Sequence, residues 1–246
     1  MSHRTAGPVR SIATATGVSA LGVVFSVLLS IPVFVVSLDL VTQFVAALVL
    51  SELGFVAAAL VFLRVTRRGL GYLDIGLLDR RALGFVIAGT VGLFVFRIAA
   101  ILAAQAAGLP LAGNSVTQLA EEGLLVTLLA LVPLSILVIG PAEELLFRGV
   151  VQRYLAESLP EFGAVALASV LFALVHVPTT FVATPDPLAV GVTLAILFGL
   201  SMLLGYLYVW TDNLLVPILV HGFYDALLFA LAYAALSSDG LPTVVA

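Results

Sequence analysis

Residues 125–157 read LVTLLALVPLSILVIGPAEELLFRGVVQRYLAE, a long apolar segment that carries Glu143, Glu144 and Arg148 within it. A helix needs about 20 apolar residues to cross a bilayer, so this segment is longer than one crossing requires. Its last two turns are predicted to emerge from the membrane as an amphipathic extension. An ionisable side chain near the bilayer centre costs at least about 2.5–3.5 kcal/mol on insertion scales. The pair Glu143 and Glu144 is therefore a candidate for a functional site, together with His176, His221 and Asp225 on later apolar segments.

The rest of the chain has the composition of an integral membrane protein. Its 246 residues are 62% hydrophobic and 10% charged, whereas soluble domains are about 25% charged. The mean hydropathy is +1.25, which excludes a soluble globular domain. There is no cysteine, so disulfides and thiolate metal ligands are excluded as well. All ten basic residues are arginines and the net charge is −4, and we expect no nucleic-acid partner.

The hydropathy pattern predicts an all-α fold, a polytopic transmembrane helical bundle of about seven spans. We interpret it as one integrated membrane domain with an N-terminal three-span region, 1–119, followed by a motif-bearing core, 120–246. The predicted spans are roughly 12–37, 41–63, 83–106, 125–157, 162–180, 188–209 and 213–236.

The positions of the arginines predict the orientation of the bundle. All of them except Arg97 fall on one side, before span 1, between spans 2 and 3, and towards the end of span 4. The opposite loops carry acidic residues and no arginine: Asp39, Glu121, Glu122 and Asp186. Because arginines are enriched on the cytoplasmic side, the N-terminus is predicted to be cytoplasmic in a multi-pass plasma-membrane protein. The apolar stretch 11–37 is longer than the apolar region of a cleavable signal peptide, so we expect a retained first span.

Two predicted hairpins bring ionisable residues of three spans to one depth. Proline disfavours continuation of a helix, so a turn at 158–160 sets Glu143 and His176 level with each other, roughly 20 Å from that turn. A second turn, between spans 6 and 7, places His221 and Asp225 at a similar depth. These two residues are i,i+4 and share one helix face. Spans 4, 5 and 7 are therefore predicted to converge on a buried site.

The other intramembrane charges have simpler interpretations. Glu144 and Arg148 are i,i+4 with the acid nearer the N-terminus, the order that favours an ion pair, and we assign this pair a structural role. Glu143 points about 100° away around the helix and is left free for chemistry. Glu52 in span 2 and Arg97 in span 3 can pair with each other or reach an interface by snorkelling.

Three short motifs occur in order on the converging spans. Glu143-Glu144-Leu145-Leu146-Phe147-Arg148 matches EExxxR, Phe172-Ala173-Leu174-Val175-His176 matches FxxxH, and His221-Gly222-Phe223-Tyr224-Asp225 matches HxxxD/N. Together they resemble the type II CAAX prenyl endopeptidase family, also called CPBP intramembrane proteases. The resemblance covers roughly residues 120–232 and implies a catalytic core formed by spans 4, 5 and 7.

The resemblance implies hydrolysis of peptide bonds inside the membrane by an activated water. Glu143 would act as the general base, assisted by His176, and His221 and Asp225 would stabilise or order the tetrahedral oxyanion. The eukaryotic CAAX enzymes carry asparagine at the last motif position, and an ionised Asp225 cannot donate a hydrogen bond. Asp225 would instead orient His221, stay protonated or ligate a metal.

The sequence leaves metal dependence open. Glu143, His176, His221 and Asp225 suit Zn²⁺ with an open water position, and they equally suit a glutamate protease without a cofactor. Their spacing differs from the HExxH pattern of helical zinc proteases.

The expected substrate is a membrane-tethered peptide or protein, with a prenylated C-terminus as the substrate that the resemblance implies. Access is expected from the cytoplasm or laterally from the bilayer. The short, compact chain and the lack of a eukaryotic targeting signal favour a prokaryotic source. The alternative is a non-proteolytic role, as a membrane scaffold or as an ion- or proton-coupled transporter. The lack of an internal repeat argues against the transporter, and the retention of every motif residue argues against the scaffold.

Overall fold

A computed structural model describes residues 7–113 and 125–237 of the chain. Within these ranges the secondary structure is entirely helical and contains no strand, which confirms the predicted all-α class. Glu121 and Glu122, two of the acidic residues behind the predicted orientation, lie outside the described residues.

The helices follow the predicted spans closely. We label them α1 Pro8–Ser30, α2 Leu40–Val65, α3 Arg80–Ala106, α4 Leu125–Ala156, α5 Glu161–Val175, α6 Val177–Ala183, α7 Pro187–Thr211 and α8 Leu215–Ser237. Short 3₁₀ segments follow α1 at Ile31–Val35 and precede α3 at Leu70–Leu73. In the described part of the chain six helices are long and apolar enough to cross a membrane, and counting α5 with α6 as one bent span gives seven. The prediction of about seven spans is confirmed.

Span 5, predicted as a single helix over 162–180, is broken at His176. α5 ends at Val175, and α6 continues from Val177 after a bend of 40°. Pro178 gives the physical reason, because proline lacks the backbone N–H and its ring clashes with the preceding turn of a helix. His176 therefore lies at an elbow between two helices.

α4 departs from regular α-helical geometry on both sides of the acidic pair. It is π-helical at Ser135–Ile139 and again at Leu145–Gln152, with the α-helical segment Gly140–Glu144 between them. Pro141 cannot donate a backbone hydrogen bond, which disturbs the regular ladder at this point. Wide turns of this kind occur frequently at functional sites. The acidic pair therefore lies in a short α-helical segment between two such turns.

The interior of the bundle joins its N-terminal helices to the motif-bearing ones. α1 packs along α2, α3 packs against α7 and α8, and α4 contacts helices of both groups. Phe55 of α2 meets Phe147 of α4 edge to face at 5.9 Å, and Phe62 of α2 meets Tyr154 of α4 in the same way at 5.2 Å. Such aromatic pairs add roughly 0.5–1.5 kcal/mol beyond the area they bury. The first two spans are thus packed directly against the helix that carries Glu143.

One end of the bundle is formed by residues 64–81, 153–161 and 211–215, and we call it the arginine-rich end. Arg68 forms an ion pair with Glu157, and Arg153 forms one with Asp74. The backbone N–H of Leu214 donates to the carbonyl oxygen of Asp74 at 2.9 Å. These contacts fix the loop between α2 and α3 onto the ends of α4 and α8.

Arg148 does not belong to this end, although the predicted topology counts it there. Its side chain is 1% exposed and lies in the interior of the bundle, paired with Glu144. A buried and paired guanidinium carries no information on which side of the membrane a loop lies. The orientation therefore depends on the arginines of the loops and helix ends.

The carboxyl group of Glu157 makes the arginine-rich end sensitive to pH. Partial burial raises its pKa, but hydrogen bonds from Arg68 and Tyr72 outweigh that effect, and the pKa lies below its usual value. The stabilisation is therefore complete above the ordinary glutamate pKa, about 4.3, and is lost as the pH falls through the lowered pKa.

We expect Glu157→Gln to lower the free energy of unfolding at neutral pH by about 1–2 kcal/mol. The difference from wild type should shrink below about pH 4. Thermal unfolding in detergent at stepped pH values measures it. A difference that is equally large at pH 7 and pH 3 would contradict the assignment.

Candidate active site

α4 and α8 approach each other closely beside the acidic pair. A Cβ atom at Gly140 would lie 2.9 Å from the carbonyl oxygen of Ile218, and one at Gly222 would lie 2.9 Å from the Cα atom of Ile136. Only glycine fits where two backbones come this near. The two glycines therefore allow His221, next to Gly222, to reach the glutamates of α4.

Glu143 lies between the two imidazoles. Its Oε1 atom is 3.8 Å from Nε2 of His176, and its Oε2 atom is 3.7 Å from Nε2 of His221. Both distances are too long for direct hydrogen bonds, and polar contacts of this length are commonly bridged by water. The side chain of Glu143 is only 8% exposed. The structure thus brings together residues of α4, of the elbow and of α8, as their spacing predicts.

The hydrogen bond made by Nδ1 of His176 determines the state of Nε2, the nitrogen that faces Glu143. Nδ1 lies 2.8 Å from the carbonyl oxygen of Phe172. A carbonyl oxygen can only accept, so Nδ1 carries the hydrogen and donates it. In the neutral ring Nε2 then keeps its lone pair, directed at the Glu143 side of the site. His176 is also the most exposed of the four predicted site residues, with 28% of its side chain accessible.

His221 is held by carboxyl groups on both ring nitrogens. Nδ1 donates to Oε1 of Glu144 at 2.8 Å, and Nε2 lies 3.2 Å from Oδ2 of Asp225. Together with Glu143, three carboxyl groups surround this ring. The sequence left three roles open for Asp225. Its position beside Nε2 of His221 suits the first of them, orienting the imidazole ring.

The predicted ion pair of Glu144 and Arg148 is present, with Nη1 of the arginine 2.8 Å from Oε1 of the glutamate. Both side chains are almost fully buried. The second guanidinium nitrogen donates to the carbonyl oxygen of Ser201 at 2.9 Å and to its hydroxyl at 2.7 Å. Because the same Oε1 atom also accepts from His221, Glu144 connects the structural pair to the site. Local sequence spacing predicts neither the hydrogen bond between His221 and Glu144 nor the contact of Arg148 with Ser201 on α7.

Phe172 forms one wall of the site. Its ring centroid is 4.8 Å from that of His176 and 6.2 Å from that of His221. The guanidinium of Arg148 lies 5.0 Å from the same centroid, on the ring face. Phe172 therefore packs beside both imidazoles and Arg148.

Glu52 joins the site and does not pair with Arg97. Its side chain is buried, and its Oε2 atom has no hydrogen-bond partner among the described residues. It lies within electrostatic range of Glu143, His221 and Asp225. In the described ranges no ion pair involves Glu52 or Arg97. α2 packs against the acidic segment of α4, which turns Glu52 towards that segment.

We expect Glu52→Met to raise stability and lower activity together. A buried polar atom without a partner costs about 1–3 kcal/mol, and methionine fills a similar volume without it. The loss of a carboxyl group near Glu143 should decrease the catalytic rate by about tenfold or more. Glu52→Gln, which keeps the shape and polarity, is the matched control for thermal unfolding and kcat. A Glu52→Met protein that is less stable than wild type would contradict the conclusion that the Oε2 atom of Glu52 is buried without a partner.

A cavity of about 670 Å³ reaches His176 from the end opposite the arginine-rich end. Its walls come from the end of α1, the start of α2, the second half of α3, residues 111–113, α6 and α7. The bend at His176 opens the cavity at this end, because α6 diverges from the direction of α5. Val182 of α6 lines the cavity and is 81% exposed, so the cavity also extends to the surface that faces lipid.

The observed arrangement of side chains does not fit a zinc ion. Among residues 7–113 and 125–237 no three His, Cys, Asp or Glu side chains are arranged to hold a metal. His221 directs both ring nitrogens at carboxyl groups, at 2.8 and 3.2 Å, which leaves neither nitrogen free to act as a ligand. No step of the chemistry is therefore assigned to a metal.

A bundle of apolar helices with the length of membrane spans defines an integral membrane protein, and this one holds a buried carboxyl group between two imidazoles. Residues 125–227, which hold all three motifs, match the family model described as type II CAAX prenyl endopeptidase Rce1-like. The match confirms the resemblance carried by the motifs and supports CAAX-type intramembrane endopeptidase activity in general. No curated protein and no solved structure matches the chain.

Proposed function

We propose that the chain hydrolyses a peptide bond of a membrane-tethered substrate with a water molecule activated by Glu143, without a metal. One observation carries the proposal, namely the position of the Glu143 carboxyl group between Nε2 of His176 and Nε2 of His221, at 3.8 and 3.7 Å. A water at this carboxyl group would have a base on one side and a hydrogen-bonding imidazole on the other.

The chemistry balances with these groups alone. Glu143 takes a proton from water while the water oxygen bonds to the peptide carbonyl carbon, which gives a tetrahedral oxyanion. The C–N bond then breaks, and the protonated Glu143 returns the proton to the leaving amine. The products are a new carboxyl group and a new amine. His176, through its Nε2 lone pair, accepts a hydrogen bond from the water and holds it in place.

His221 is the group proposed to stabilise the oxyanion. Its Nδ1–H is fixed on Glu144, which sets the direction of the ring, and the Nε2–H of the imidazolium, which faces Asp225 in the free site, would be shared with the developing oxyanion. An imidazolium has a donor on both nitrogens, and Asp225 at 3.2 Å balances its charge and sets its tilt. Donors fixed before reaction in a buried site are worth about 10²–10³ in rate each.

We also propose that the arginine-rich end is cytoplasmic, in the plasma membrane. The loop that ends α2 and the start of α3 bring Arg64, Arg67, Arg68, Arg80 and Arg81 to that end. Because the chain has no cysteine, single cysteines report the orientation. Leu77→Cys, at a position 96% exposed, should react with an impermeant maleimide only in opened cells, and Val36→Cys should react in intact cells. The reverse pattern would invert the topology.

The function is tested with purified protein in lipid nanodiscs and fluorogenic peptides that end in a farnesylated CAAX sequence or in the same sequence without the lipid. We expect cleavage of the lipidated peptide that persists after treatment with 1,10-phenanthroline. Activity lost to the chelator and restored by Zn²⁺ would overturn the metal-free chemistry. A lack of cleavage for every peptide would argue for the non-proteolytic alternatives, a scaffold or a transporter.

A further inference from the structure

The cavity beside His176 has the size and lining of a binding site for a short apolar segment. Its volume of about 670 Å³ falls in the range of about 300–1,000 Å³ that is typical of small-ligand pockets. Most of its wall is apolar, for example Phe34, Phe44, Leu48 and Ile196. This volume holds a few residues of an extended chain and excludes a folded domain.

Arg97 brings a positive charge into this apolar wall. It is half-buried on α3 and lines the cavity together with His176, and no Asp or Glu is among the described lining residues. In the part of the chain that the structure describes, no carboxylate pairs with its guanidinium. Its neighbour is the hydroxyl of Tyr224, next to Asp225 of the site.

An arginine that lies within the membrane beside a cavity is expected to bind an anion. A guanidinium presents five N–H donors in a planar fork that matches a carboxylate. Charged side chains at membrane depth are costly unless they are paired or lie along a ligand path. The ligand that matches this cavity in polarity and charge is therefore an apolar segment that carries one carboxylate.

We propose that Arg97 binds the free α-carboxylate at the C-terminus of the substrate, while the apolar side chains of its last residues fill the cavity. The inference rests on the proposed function, because it places the scissile bond at Glu143 and His176 and the chain end in the cavity. A C-terminus is favoured over an acidic side chain because the limited volume suits a chain that ends there. Arg97 is then a specificity-determining residue, outside the three motifs.

Equilibrium binding to the non-cleaving Glu143→Gln protein tests this inference without relying on hydrolysis. The probes are a fluorescent apolar tetrapeptide with a free C-terminus, the same peptide as its C-terminal amide, and an amide with one internal glutamate. The acid should bind at least about tenfold more tightly than the plain amide. Adding Arg97→Gln should remove this preference and leave the amide affinity unchanged, which also shows that the cavity is intact. Arg80→Gln, an exposed arginine on the same helix, is the matched control.

Equal binding of acid and amide, or an equal loss of both in Arg97→Gln, would overturn the role of Arg97. A glutamate-containing amide that binds as tightly as the acid, and depends equally on Arg97, would overturn the assignment to the chain end. A protein that cleaves peptides but shows no Arg97-dependent preference would retain the proposed function and lose only this inference. Conversely, an Arg97-dependent preference in a protein that cleaves nothing would support the cavity and argue against the hydrolase.

Discussion

Glu143→Gln is expected to abolish peptide hydrolysis, with kcat reduced by about 10²–10⁴-fold. An amide cannot accept the proton that the attacking water must lose, yet it fills the same space between His176 and His221. Folding should therefore survive the change, and removing a buried carboxyl group should leave thermal stability at or above that of wild type. Single-turnover cleavage and thermal unfolding in nanodiscs measure the two effects on one sample.

Glu161→Gln is the matched control for this experiment. Glu161 is exposed in the first turn of α5, at the arginine-rich end and away from the imidazoles. Its substitution should leave cleavage at the wild-type rate. A Glu143→Gln protein that cleaves within a few-fold of wild type would show that another group activates the water. Glu52, the neighbouring buried acid, would then be the first residue to substitute.

Arg148→Met should cause the largest loss of stability of any single substitution considered for this protein. Arg148 pairs with Glu144 and donates to Ser201, and both charged side chains are almost fully buried. Removing one partner of a buried ion pair leaves the other charge uncompensated and costs about 3–5 kcal/mol. Thermal unfolding of purified protein in mild detergent measures the loss. Arg64→Met, at an exposed position near the end of α2, is the control and should unfold like wild type.

A double substitution separates the structural and functional parts of this pair. Glu144→Leu with Arg148→Met removes both charges and should recover most of the stability that Arg148→Met alone loses. Hydrolysis should stay low in the double variant, because Nδ1 of His221 no longer has the Glu144 acceptor that fixes the ring. Recovery of both stability and activity would contradict a positioning role for Glu144.

Hydropathy and turn residues predict the bundle because each span must satisfy its own backbone hydrogen bonds in lipid. The turn at Pro160 also sets the depth of Glu143 and His176, since helix rise is constant. Spacing within one helix predicts the Glu144 and Arg148 pair. These features depend on residue spacing within one or two neighbouring helices, which can be read from the sequence itself.

Contacts between helices depend on rotation and tilt, which single-sequence spacing does not determine. Glu144 as the acceptor for His221, Ser201 as the partner of Arg148, and Glu52 beside Glu143 all belong to this class. The π-helical turns add a further rotation that regular α-helical spacing does not include. Pro178 is different, because its presence two residues after His176 was a local signal for the bend. The cavity and its access follow from that bend.

The most direct test of the proposed chemistry is hydrolysis in oxygen-18-labelled water, followed by mass spectrometry of both peptide products. If Glu143 activates water for direct attack, the new carboxyl group of a single turnover carries one labelled oxygen, the amine product carries none, and Glu143→Gln yields neither product. Cleavage that proceeds without label in the new carboxyl group, or that continues at the wild-type rate in Glu143→Gln, would contradict a site in which Glu143 activates the attacking water.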